Sequence, residues 1–444
     1  MKGVIIVIAL LIVVIRYGYA LESDRNDTTF ISVSSFGSKG NGKADDAAAL
    51  LKCLDWATQN KGIVVVRIPY GIYLISRSLK FNINDCRQLI IRGQARNGNK
   101  PLIISNNFIT IFDVYSYYWA PKGSLTISGL AIQGDNVPFS PAHPYFNKPS
   151  FCSGIRILNL KYATILNNEI RNIYGNGISI GYSNINLKNL NNRYDRVTIG
   201  NNSIVNCWGL HPEKDDYGDG IYTNSMKNAL IYNNRIINNL KKTKQFGRAG
   251  LVLEYNDENC IVSNNYIFGY DRGIHIESDI GGHIIRNNIL EGSDFGILIY
   301  DVPAVMNKPI QIISNKISNR GLPFHNGFRR IRNSEERCLL SFFAKEGCRK
   351  GSEIIFNQFE IDSGYDYKYS SVARFLASGI IVKDNAFISH LPLPIRKTVN
   401  IYLPVDSLVG NTFNNVNVSC TNPEQQHAVR NNKVINEVKT NLKL

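Results

Sequence analysis

Four side chains able to exchange protons stand at fixed offsets from the glycines of a repeated sequence in the middle of the chain. Asp219 comes directly before one such glycine, and Glu254 and Glu277 each come four residues after the glycines of the next two copies. His275 lies two residues after the third of these glycines. Two carboxyl groups held close together take up different pKa values, so one can act as an acid and the other as a base. We therefore predict a catalytic group of Asp219, Glu254, His275 and Glu277.

The repeated sequence itself predicts the fold. Each copy has an asparagine pair, a polar stretch, and a glycine followed by alternating apolar residues, and single asparagines continue the series. Asparagine accepts the left-handed backbone of a tight turn, and amide side chains in stacked turns can form a ladder of hydrogen bonds. A period of roughly 20 to 30 residues with β-type alternation is typical of a solenoid, so we predict an all-β, single-stranded parallel β-helix. The asparagines are Asn167-Asn168, Asn201-Asn202, Asn233-Asn234, Asn264-Asn265, Asn287-Asn288, Asn315, Asn357, Asn385 and Asn411.

Stacked coils would align these copies into columns with a spacing of about 4.8 Å. In each Gly-Ile-x-Ile segment the apolar side chains should point inward and the intervening ones outward. The alternative to a functional patch is a solvated surface that carries the ion pairs Glu254–Arg272 and Glu277–Arg248. The outward patch predicted from neighbouring coils contains Asp219, Tyr222, Arg248, Glu254, Arg272, His275, Glu277 and Tyr300.

The basic excess of the chain favours an anionic partner. Its 444 residues include 50 Lys and Arg against 35 Asp and Glu, which gives a net charge of +15. Such a charge attracts polyanions, either nucleic acid or acidic polysaccharide. The sequence has neither a helical DNA-reading motif nor an RNA-binding aromatic motif. We therefore predict an acidic polysaccharide as the partner and no nucleic acid.

The N-terminus has the pattern of an export signal. Lys2 precedes an apolar run over residues 3–15, and the small residues Gly18 and Ala20 suit cleavage before Leu21. The run is shorter than the ~20 apolar residues that span a membrane. We predict a signal peptide at residues 1–20, a secreted or periplasmic location, and no stable membrane span after cleavage. An uncleaved anchor is the alternative.

The cysteines suit an oxidising compartment. All eight follow the predicted signal, an even count. We predict a disulfide between Cys338 and Cys348, which a short polar loop separates. Cys207 and Cys260 are predicted to be small buried residues inside the coils. No spacing of cysteine and histidine indicates zinc, and we predict no metal.

Residues 21–73 are predicted to form an N-terminal segment with a capping helix, and residues 74–444 the coils. Asp45 or Asp46 is expected to begin the helix as its N-cap. A helix over the open end of a β-helix would prevent strand pairing with a neighbour. Four insertions interrupt the coils at 134–151, 208–217, 239–248 and 318–350, and the last is rich in arginine, Arg349 included. The predicted apolar stripe of the helix consists of Ala48, Leu50, Leu51, Leu54 and Ala57.

Three parts of the N-terminal segment resemble the start of the pectate-lyase superfamily domain, which phage tailspikes and rhamnogalacturonase-like proteins share. The resemblance implies a right-handed parallel β-helix with an N-terminal capping helix. It does not specify the reaction, because one fold hosts many functions. The matching residues are Phe36-Gly37-Ser38-Lys39-Gly40-Asn41-Gly42, Asp45-Asp46 and Pro69-Tyr70-Gly71-Ile72-Tyr73.

The chain is also similar, in part, to the polygalacturonase-type glycoside hydrolases, whose four catalytic motifs lie on successive coils. The first motif, Asn-Thr-Asp-Gly, resembles residues 217–220 and places Asp219 at its aspartate. The positions of the other three motifs are Arg248-Ala249-Gly250, Asp271-Arg272-Gly273 and residues 296–300, and these lack the family's residues. The resemblance therefore implies the location of a site and argues against ordinary pectin hydrolysis.

Two reaction types fit the residues that remain. A glycoside hydrolase needs an acid and a nucleophile or base, which Asp219, Glu254 and Glu277 could supply. A uronate lyase or epimerase needs a cation beside the substrate carboxylate, a base such as His275, and an acid. Neither demands a cofactor, although Ca²⁺ could assist a lyase. The residues predicted to bind substrate are Tyr222, Arg248, Arg272, Tyr300 and Trp208.

A non-catalytic function uses the same surface without turnover. A secreted β-helix can bind or guide a glycan during exopolysaccharide or capsule assembly, and exposed tyrosines and arginines would serve that purpose equally well. An adhesin-like structural β-helix is the remaining alternative.

Overall fold

The computed structural model describes residues 28–83, 88–105, 107–117, 123–134, 152–183, 190–191, 193–209, 218–240, 247–300, 308–321, 337–345, 348–363, 371–392, 397–421 and 429–435. The predicted signal peptide, residues 1–20, and most of the four predicted insertions lie outside these residues. Within them, no helix has the length and apolar character needed to cross a membrane.

The described chain winds through three parallel faces, and every strand pairs with the equivalent strand of the next coil. The strands are numbered β1 to β39 in chain order. The second and third faces join through one long strand, β13.

The first face contains β1 (Thr28–Ser32), β3 (Ile63–Ile68), β6 (Gln88–Gly93), β9 (Ser124–Ser128), β12 (Tyr162–Leu166), β14 (Arg196–Gly200), β17 (Leu230–Tyr232), β20 (Ile261–Ser263), β23 (Ile284–Arg286), β26 (Gln311–Ile313), β29 (Glu353–Ile355), β32 (Ile381–Lys383), β35 (Ser407–Val409) and β38 (Val429–Arg430). The second face contains β2 (Asn41–Asp45), β4 (Ile72–Ile75), β7 (Leu102–Ser105), β10 (Ala131–Gln133), the start of β13 (Glu169–Gly181), β15 (Ser203–Trp208), β18 (Arg235–Ile237), β21 (Tyr266–Phe268), β24 (Ile289–Glu291), β27 (Lys316–Ser318), β30 (Gln358–Ile361), β33 (Ala386–Ser389), β36 (Thr412–Asn414) and β39 (Lys433–Ile435). The third face contains β5 (Leu79–Asn82), β8 (Phe112–Tyr115), β11 (Cys152–Leu158), the end of β13, β16 (Asp219–Asn224), β19 (Ala249–Glu254), β22 (Arg272–Glu277), β25 (Phe295–Tyr300), β28 (Cys338–Phe343), β31 (Ser371–Leu376), β34 (Lys397–Ile401) and β37 (Val416–Cys420).

The core is a continuous column of apolar side chains between the three faces. Ile274 and Ile276, the inward residues of one Gly-Ile-x-Ile segment, are fully buried in it, as predicted. Cys207 and Cys260 are also fully buried there, which confirms their predicted place. Since every coil contributes to one core, the third face is a rigid support for the side chains that point away from it.

A single α-helix of the described chain, α1 (Ala47–Gln59), and a 3₁₀ helix (Val33–Phe36) precede most of the coils. Asp46 is the N-cap residue, as predicted, but its carboxylate accepts hydrogen bonds from the Lys39 and Gly40 amides, and the Ala47 amide donates to Asp45 instead. The prediction of Ala48 on the apolar stripe was wrong, because this residue is exposed. The buried residues of α1 are Ala47, Leu50, Cys53, Leu54 and Ala57. Strands of all three faces pair with the next coil from β3, β4 and β5 onward, so the stack continues across residue 74 without a break.

The predicted asparagine ladder is present and runs through nine consecutive steps from Asn168 to Asn432. At each step the side-chain amide donates to the next asparagine's Oδ1 at 2.9 to 3.1 Å. The first residue of each pair has a positive φ, as at Asn264 with φ of 56°. The two asparagines of a pair therefore differ in function: one shapes the turn and the other binds neighbouring coils together.

Replacing Asn265 by Ala is expected to lower the free energy of unfolding by about 3 kcal/mol, because several buried polar groups lose their partners. Asn265 Nδ2 donates to the Ile231 carbonyl and to Asn288, and its Oδ1 accepts from the amide and side chain of Asn234. Denaturant unfolding measures the loss. The matched control is Asn264→Gly, which keeps the left-handed turn and should change stability little. Equal losses in the two variants would contradict the ladder's contribution.

The predicted disulfide between Cys338 and Cys348 was wrong, since these two residues are not bonded to each other. Cys338 begins β28 and packs on Phe295 and Leu298, outside the main core. The five residue steps of β28 alone carry the chain roughly 16 Å away from Cys338. Cys348 lies beyond that strand and packs against the main core.

Candidate functional site

The third face aligns the predicted residues in the columns expected from the sequence. Asn224, Glu254, Glu277 and Tyr300 are register partners on four successive strands, β16, β19, β22 and β25. His275 lies two residues before Glu277 on the same strand and also points outward. Neighbouring strands are about 4.8 Å apart, so these side chains form one group. The group is mostly buried: Glu254 is 5% exposed and His275 is 1% exposed.

Arg248 and Asp219 form a bidentate ion pair at the edge of the group. Arg248 Nε donates to Asp219 Oδ1 at 2.9 Å and Nη2 donates to Oδ2 at 2.7 Å. The Ala249 amide also donates to Asp219. Arg248 thus reaches across one coil to Asp219, a partner that the alternative of a surface ion pair with Glu277 did not include. Asp219 accepts three hydrogen bonds and is 3% exposed, so its carboxylate anchors Arg248.

Glu254 has the properties of an acid that is protonated near neutral pH. Burial raises the pKa of Glu254 to about 7, and the nearby carboxylates of Asp219 and Glu277 also raise this pKa. Arg248, whose Nη2 lies 3.7 Å from Glu254 Oε1, and Arg272 act in the opposite direction. The like-charge effect predicted for Glu254 and Glu277 is thus present, but burial raises the pKa of Glu254 more than this effect does.

Arg272, His275 and Glu277 form a directed chain of contacts. Arg272 Nη1 lies 3.0 Å from His275 Nδ1, and His275 Nε2 lies 3.1 Å from Glu277 Oε2. A guanidinium only donates hydrogen bonds, so Nδ1 must accept and the imidazole proton must reside on Nε2, facing Glu277. Arg272 contacts the histidine, and its Nε lies 3.8 Å from Asp271 Oδ2, while its charge still lowers the pKa of Glu254. His275 Nε2 therefore faces Glu277, whose side chain is 29% exposed, although this close contact lacks the geometry of a hydrogen bond.

The predicted aromatic residues fall into three different environments. Tyr222 lies beside Glu254, and burial, together with that carboxylate, raises the pKa of its phenol. Tyr300 is 48% exposed and follows Glu277 in the same column. Trp208 is 3% exposed and packs edge-on against Tyr174 in a separate cluster, with ring centroids 4.8 Å apart. The interpretation of Trp208 as a residue that stacks on substrate is therefore not supported by its position, because its ring is covered by other aromatic residues.

Three ligand atoms of the group are close enough to hold a divalent cation. The carboxylates of Glu254 and Glu277 and a nitrogen of His275 all lie within 4.8 Å of one another. Two carboxylates and an imidazole suit several divalent metals. Arg272 already contacts His275 Nδ1, so Nε2 is the ring nitrogen left to bind a cation together with the two carboxylates.

A second group of buried charges lies behind the third face, and sequence reasoning missed it. Asp279 accepts hydrogen bonds from Arg349 and from His283 Nε2, the latter at 2.8 Å, and all three side chains are fully buried. The Cys260 amide donates to His283 Nδ1, so the proton on Nε2 faces Asp279. Asp257 lies between this group and Glu254. The signal in the sequence was weak: each acid follows the end of β19 or β22 by two or three residues, in the turn.

The surroundings of Asp257 favour the neutral form of its carboxyl group. The Thr223 hydroxyl lies 2.8 Å from the Val252 carbonyl and 2.7 Å from Asp257 Oδ2, but it has only one proton to donate. If Thr223 donates to the carbonyl, Asp257 must carry the proton and donate to Thr223. Burial raises the pKa of Asp257 well above its ordinary value, and nearby Asp279 and Glu254 raise it further. The hydrogen-bond geometry around Thr223 and the raised pKa thus both favour a protonated Asp257.

Asp257 should make the protein less stable as the pH rises. An acid with a higher pKa in the folded state contributes stability below its unfolded pKa of about 4 and loses it as the pH approaches the folded value. Relative to Asp257→Asn, the free energy of unfolding of the unchanged protein should fall by up to about 1.4 kcal/mol per pH unit above pH 5. The substituted asparagine can accept from the Met226 amide and donate to Thr223, so the variant preserves both contacts. Parallel pH dependences of the two proteins would contradict the neutral carboxyl.

The arginines near the fourth predicted insertion are engaged by carboxylates wherever they are described. Arg349 is fully buried against Asp279, so its inclusion in a polyanion-binding loop was wrong. Arg337 lies 3.7 Å from Asp294, and Arg320 lies 3.4 Å from Asp362 with its side chain half exposed. The remaining arginines of this insertion lie outside the described residues.

Comparisons with known proteins bear on the fold. A family model described as a right-handed β-helix region matches residues 153–335. No curated protein sequence matches the chain. The Dettilon tailspike protein is similar in structure, with a TM-score of 0.59 at 14% identity, covering 90% of this chain and 70% of its own.

Two further solved structures are similar at low identity. The catalytic unit of a GH87 α-1,3-glucanase from Streptomyces thermodiastaticus strain HF3-3 has a TM-score of 0.53 at 15% identity, covering 92% of this chain and 68% of its own. A DFA-IIIase from Arthrobacter chlorophenolicus A6, in complex with DFA-III, has a TM-score of 0.57 at 13% identity, covering 94% and 100%. Together with the parallel register of the three faces, these matches show that the chain is a right-handed parallel β-helix.

Proposed function

We propose that this protein hydrolyses a polysaccharide on the third face of its β-helix, with Glu254 and Glu277 as the reacting carboxyl groups. The observation that carries the proposal is the pairing of these two side chains. They are register partners on adjacent strands, and their ligand oxygens lie within 4.8 Å of each other. One carboxyl is buried with a pKa of about 7, and the other is partly exposed. Two carboxyl groups in two such environments are the arrangement of a glycosidase.

The two carboxyl groups have distinct tasks in this reaction. Glu254 donates its proton to the glycosidic oxygen as the bond to the sugar breaks, and the Glu277 carboxylate attacks the anomeric carbon. Water, deprotonated by Glu254, then releases the sugar from Glu277. The short separation supports retention of configuration, since inverting enzymes keep their carboxyl groups roughly 6.5–9.5 Å apart to admit a water molecule. His275 positions Glu277, because its Nε2 lies 3.1 Å from Glu277 Oε2.

A lyase or epimerase is less well supported by the same side chains. Such a reaction needs a cation that faces the substrate carboxylate and a base with a proton-accepting atom at the substrate. Arg248 is paired with Asp219, and Arg272 is 1% exposed and directed at His275. Both ring nitrogens of His275 face protein groups, so the predicted base is a positioning residue in our proposal.

Several observations support a glycan as the substrate. The α-1,3-glucanase with this fold demonstrates that a β-helix can host glycoside hydrolysis, although the likeness concerns the fold only. The net charge of +15 favours an acidic polymer. The apolar run at residues 3–15 supports export to the periplasm or the medium, where such polymers occur.

Turnover distinguishes this proposal from a glycan-binding or adhesin function. The full-length protein would be incubated with alginate, polygalacturonate, heparin, dextran and the extracellular polysaccharide of its source organism. We expect new reducing ends from at least one polymer, without absorbance of unsaturated uronate, and no loss of activity in EDTA. Unsaturated product would favour the lyase, and activity that EDTA abolishes would favour a metal at Glu254, His275 and Glu277. No product from any polymer would refute hydrolysis.

A further inference from the structure

The column that contains Glu254 and Glu277 continues as an apolar stripe toward the C-terminus. Tyr300 is the register partner of Glu277, Phe343 is the partner of Tyr300, and Leu376 is the partner of Phe343. Tyr402 follows on the next coil, where its amide donates to the Phe375 carbonyl. At about 4.8 Å per coil, the stripe extends for roughly 14 Å beyond Tyr300. We name these four residues, Tyr300, Phe343, Leu376 and Tyr402, the aromatic stripe.

The aromatic stripe is accessible and ordered by its own contacts. Tyr300 is 48% exposed and Tyr402 is 37% exposed, whereas Phe343 and Leu376 are partly buried. The rings of Tyr300 and Phe343 stack with centroids 5.3 Å apart and an angle of 21° between their planes. Such a pair presents a flat apolar surface with a phenolic hydroxyl at its end.

The rest of this part of the third face is covered. Phe295 and Leu298, the other outward residues of β25, pack with Cys338 of β28 in a buried cluster. Among the described outward residues of β25, β28 and β31, the exposed or half-buried apolar side chains Tyr300, Phe343 and Leu376 therefore lie in one narrow line next to Glu277. A line one side chain wide, parallel to the solenoid axis, fits an extended chain better than a globular partner.

Arg374 adds a positive charge beside the aromatic stripe. It is the outward residue two positions before Leu376, and its guanidinium carbon lies 5.7 Å from the centroid of the Tyr402 ring. Within the described part of the chain, no carboxylate pairs with Arg374, and its Nε has no hydrogen-bond partner. This contrasts with Arg248 and Arg272, which are committed to Asp219 and His275.

We propose that the aromatic stripe and Arg374 bind successive sugar rings of an acidic glycan on the C-terminal side of Glu277. The inference rests on the proposed hydrolase function and defines the substrate class of the same site. The apolar face of a sugar ring stacks on an aromatic ring, and the guanidinium binds a carboxylate or sulfate group of the glycan. The stripe is continuous with the acid pair, so a chain lying on it delivers its next linkage to Glu254 and Glu277.

The test measures binding separately from turnover. The full-length protein with Glu277→Gln, which cannot turn over, is run in native gels that contain alginate, polygalacturonate, heparin or the neutral polymer dextran. At least one acidic polymer should retard it more than dextran does. Tyr300→Ala and Tyr402→Ala should each weaken that binding by about tenfold. Arg374→Gln should remove the preference for acidic over neutral polymer.

A matched control separates the stripe from general surface effects. Tyr162 is 40% exposed on the first face, where Lys161 lies over its ring, so Tyr162→Ala removes a similar exposed ring elsewhere. Equal retardation of Tyr300→Ala and Tyr162→Ala, or no retardation of the parent by any polymer, would overturn the inference. Stripe-dependent binding without turnover by the unchanged protein would refute the hydrolase and leave the stripe standing. Turnover together with binding that does not depend on the stripe would support the hydrolase and refute the stripe.

Discussion

Replacing Glu254 by Gln is expected to lower kcat on the responsive polymer by roughly 10²–10⁴-fold, the contribution of a general acid. The glutamine amide has the same shape but no proton of suitable acidity for the leaving oxygen. The fold should persist, because Glu254 points out of the core and its neighbours lie in regular strands. Initial-rate measurements together with circular dichroism test both parts of the prediction.

The control for Glu254→Gln is the same change at an unrelated outward glutamate. Glu353 lies on the first face, in β29, where Gln311 donates to it. Glu353→Gln should leave both kcat and the spectrum unchanged. A Glu254→Gln protein with full activity would remove this carboxyl from the mechanism.

The pH profile gives an independent check on Glu254. A general acid is active in its protonated form, so the rate should fall as the pH rises through the pKa of about 7. Neutralising Asp219 would remove a charge that raises this pKa, so Asp219→Asn should move the basic limb of the profile to lower pH. Arg248 would then lose Asp219 as its partner, so its charge would act more strongly on Glu254. This change also lowers the pKa of Glu254.

The fold was predictable because its signals are local and repeated. Each Asn-Asn turn and each Gly-Ile-x-Ile segment indicates its own conformation, and the period places equivalent residues in register. The alignment of Glu254 with Glu277 and of Asp219 with Arg272 followed from counting residues from a glycine, and the strand register agrees. The cap helix was recognisable from Asp46 and an apolar stripe, although the set of buried residues differed.

The hydrogen-bond and ion-pair partners within the site were not predictable from the columns of stacked residues alone. The column position of a residue specifies which side chains lie next to it. A long arginine side chain can still reach several of these neighbours, so column position does not specify its partner. Arg248 was predicted to bind substrate, with an ion pair to Glu277 as the alternative, and it forms two hydrogen bonds to Asp219. The burial of the patch was not predicted either, because column position identifies outward side chains but not their exposure. Glu254 is 5% exposed, and this burial is the main cause of its raised pKa.

The buried charges behind the face were missed because they lie in turns of unequal length. Asp279 and Arg349 are separated by 70 residues and by an insertion that breaks the period. An arginine in a polar, arginine-rich stretch is typical of a surface residue, and only the three-dimensional path of the chain brings Arg349 to Asp279. Aligning the repeats cannot predict such long-range pairs.

Replacing Arg349 by Met is expected to lower the free energy of unfolding by about 3–5 kcal/mol, the effect of breaking a buried ion pair. Asp279 and Arg349 are both fully buried, so the mutation leaves a carboxylate without its main counter-charge. Burial alone would raise the pKa of Asp279, but Arg349 and His283 outweigh it and lower the value to about 2. Denaturant unfolding at pH 7 measures the loss, and Arg320→Met provides the control. The Arg320 side chain is 51% exposed, so its loss should change stability by less than about 1 kcal/mol.

A second substitution and a change of pH show whether the unpaired charge is the cause. Adding Asp279→Asn to Arg349→Met removes that charge, while the new amide oxygen still accepts from His283 Nε2, so the double variant should recover much of the lost stability. Without Arg349 the pKa of Asp279 rises, and protonation at low pH neutralises the stranded carboxylate. The unchanged protein behaves oppositely, since an acid with a lowered folded pKa contributes stability above its unfolded pKa and loses it as the pH falls toward 2. The stability gap between the two proteins should therefore narrow from pH 7 to pH 4. A gap that stays constant, with no recovery in the double variant, would mean that lost packing around Arg349 and not its charge stabilises this part of the β-helix.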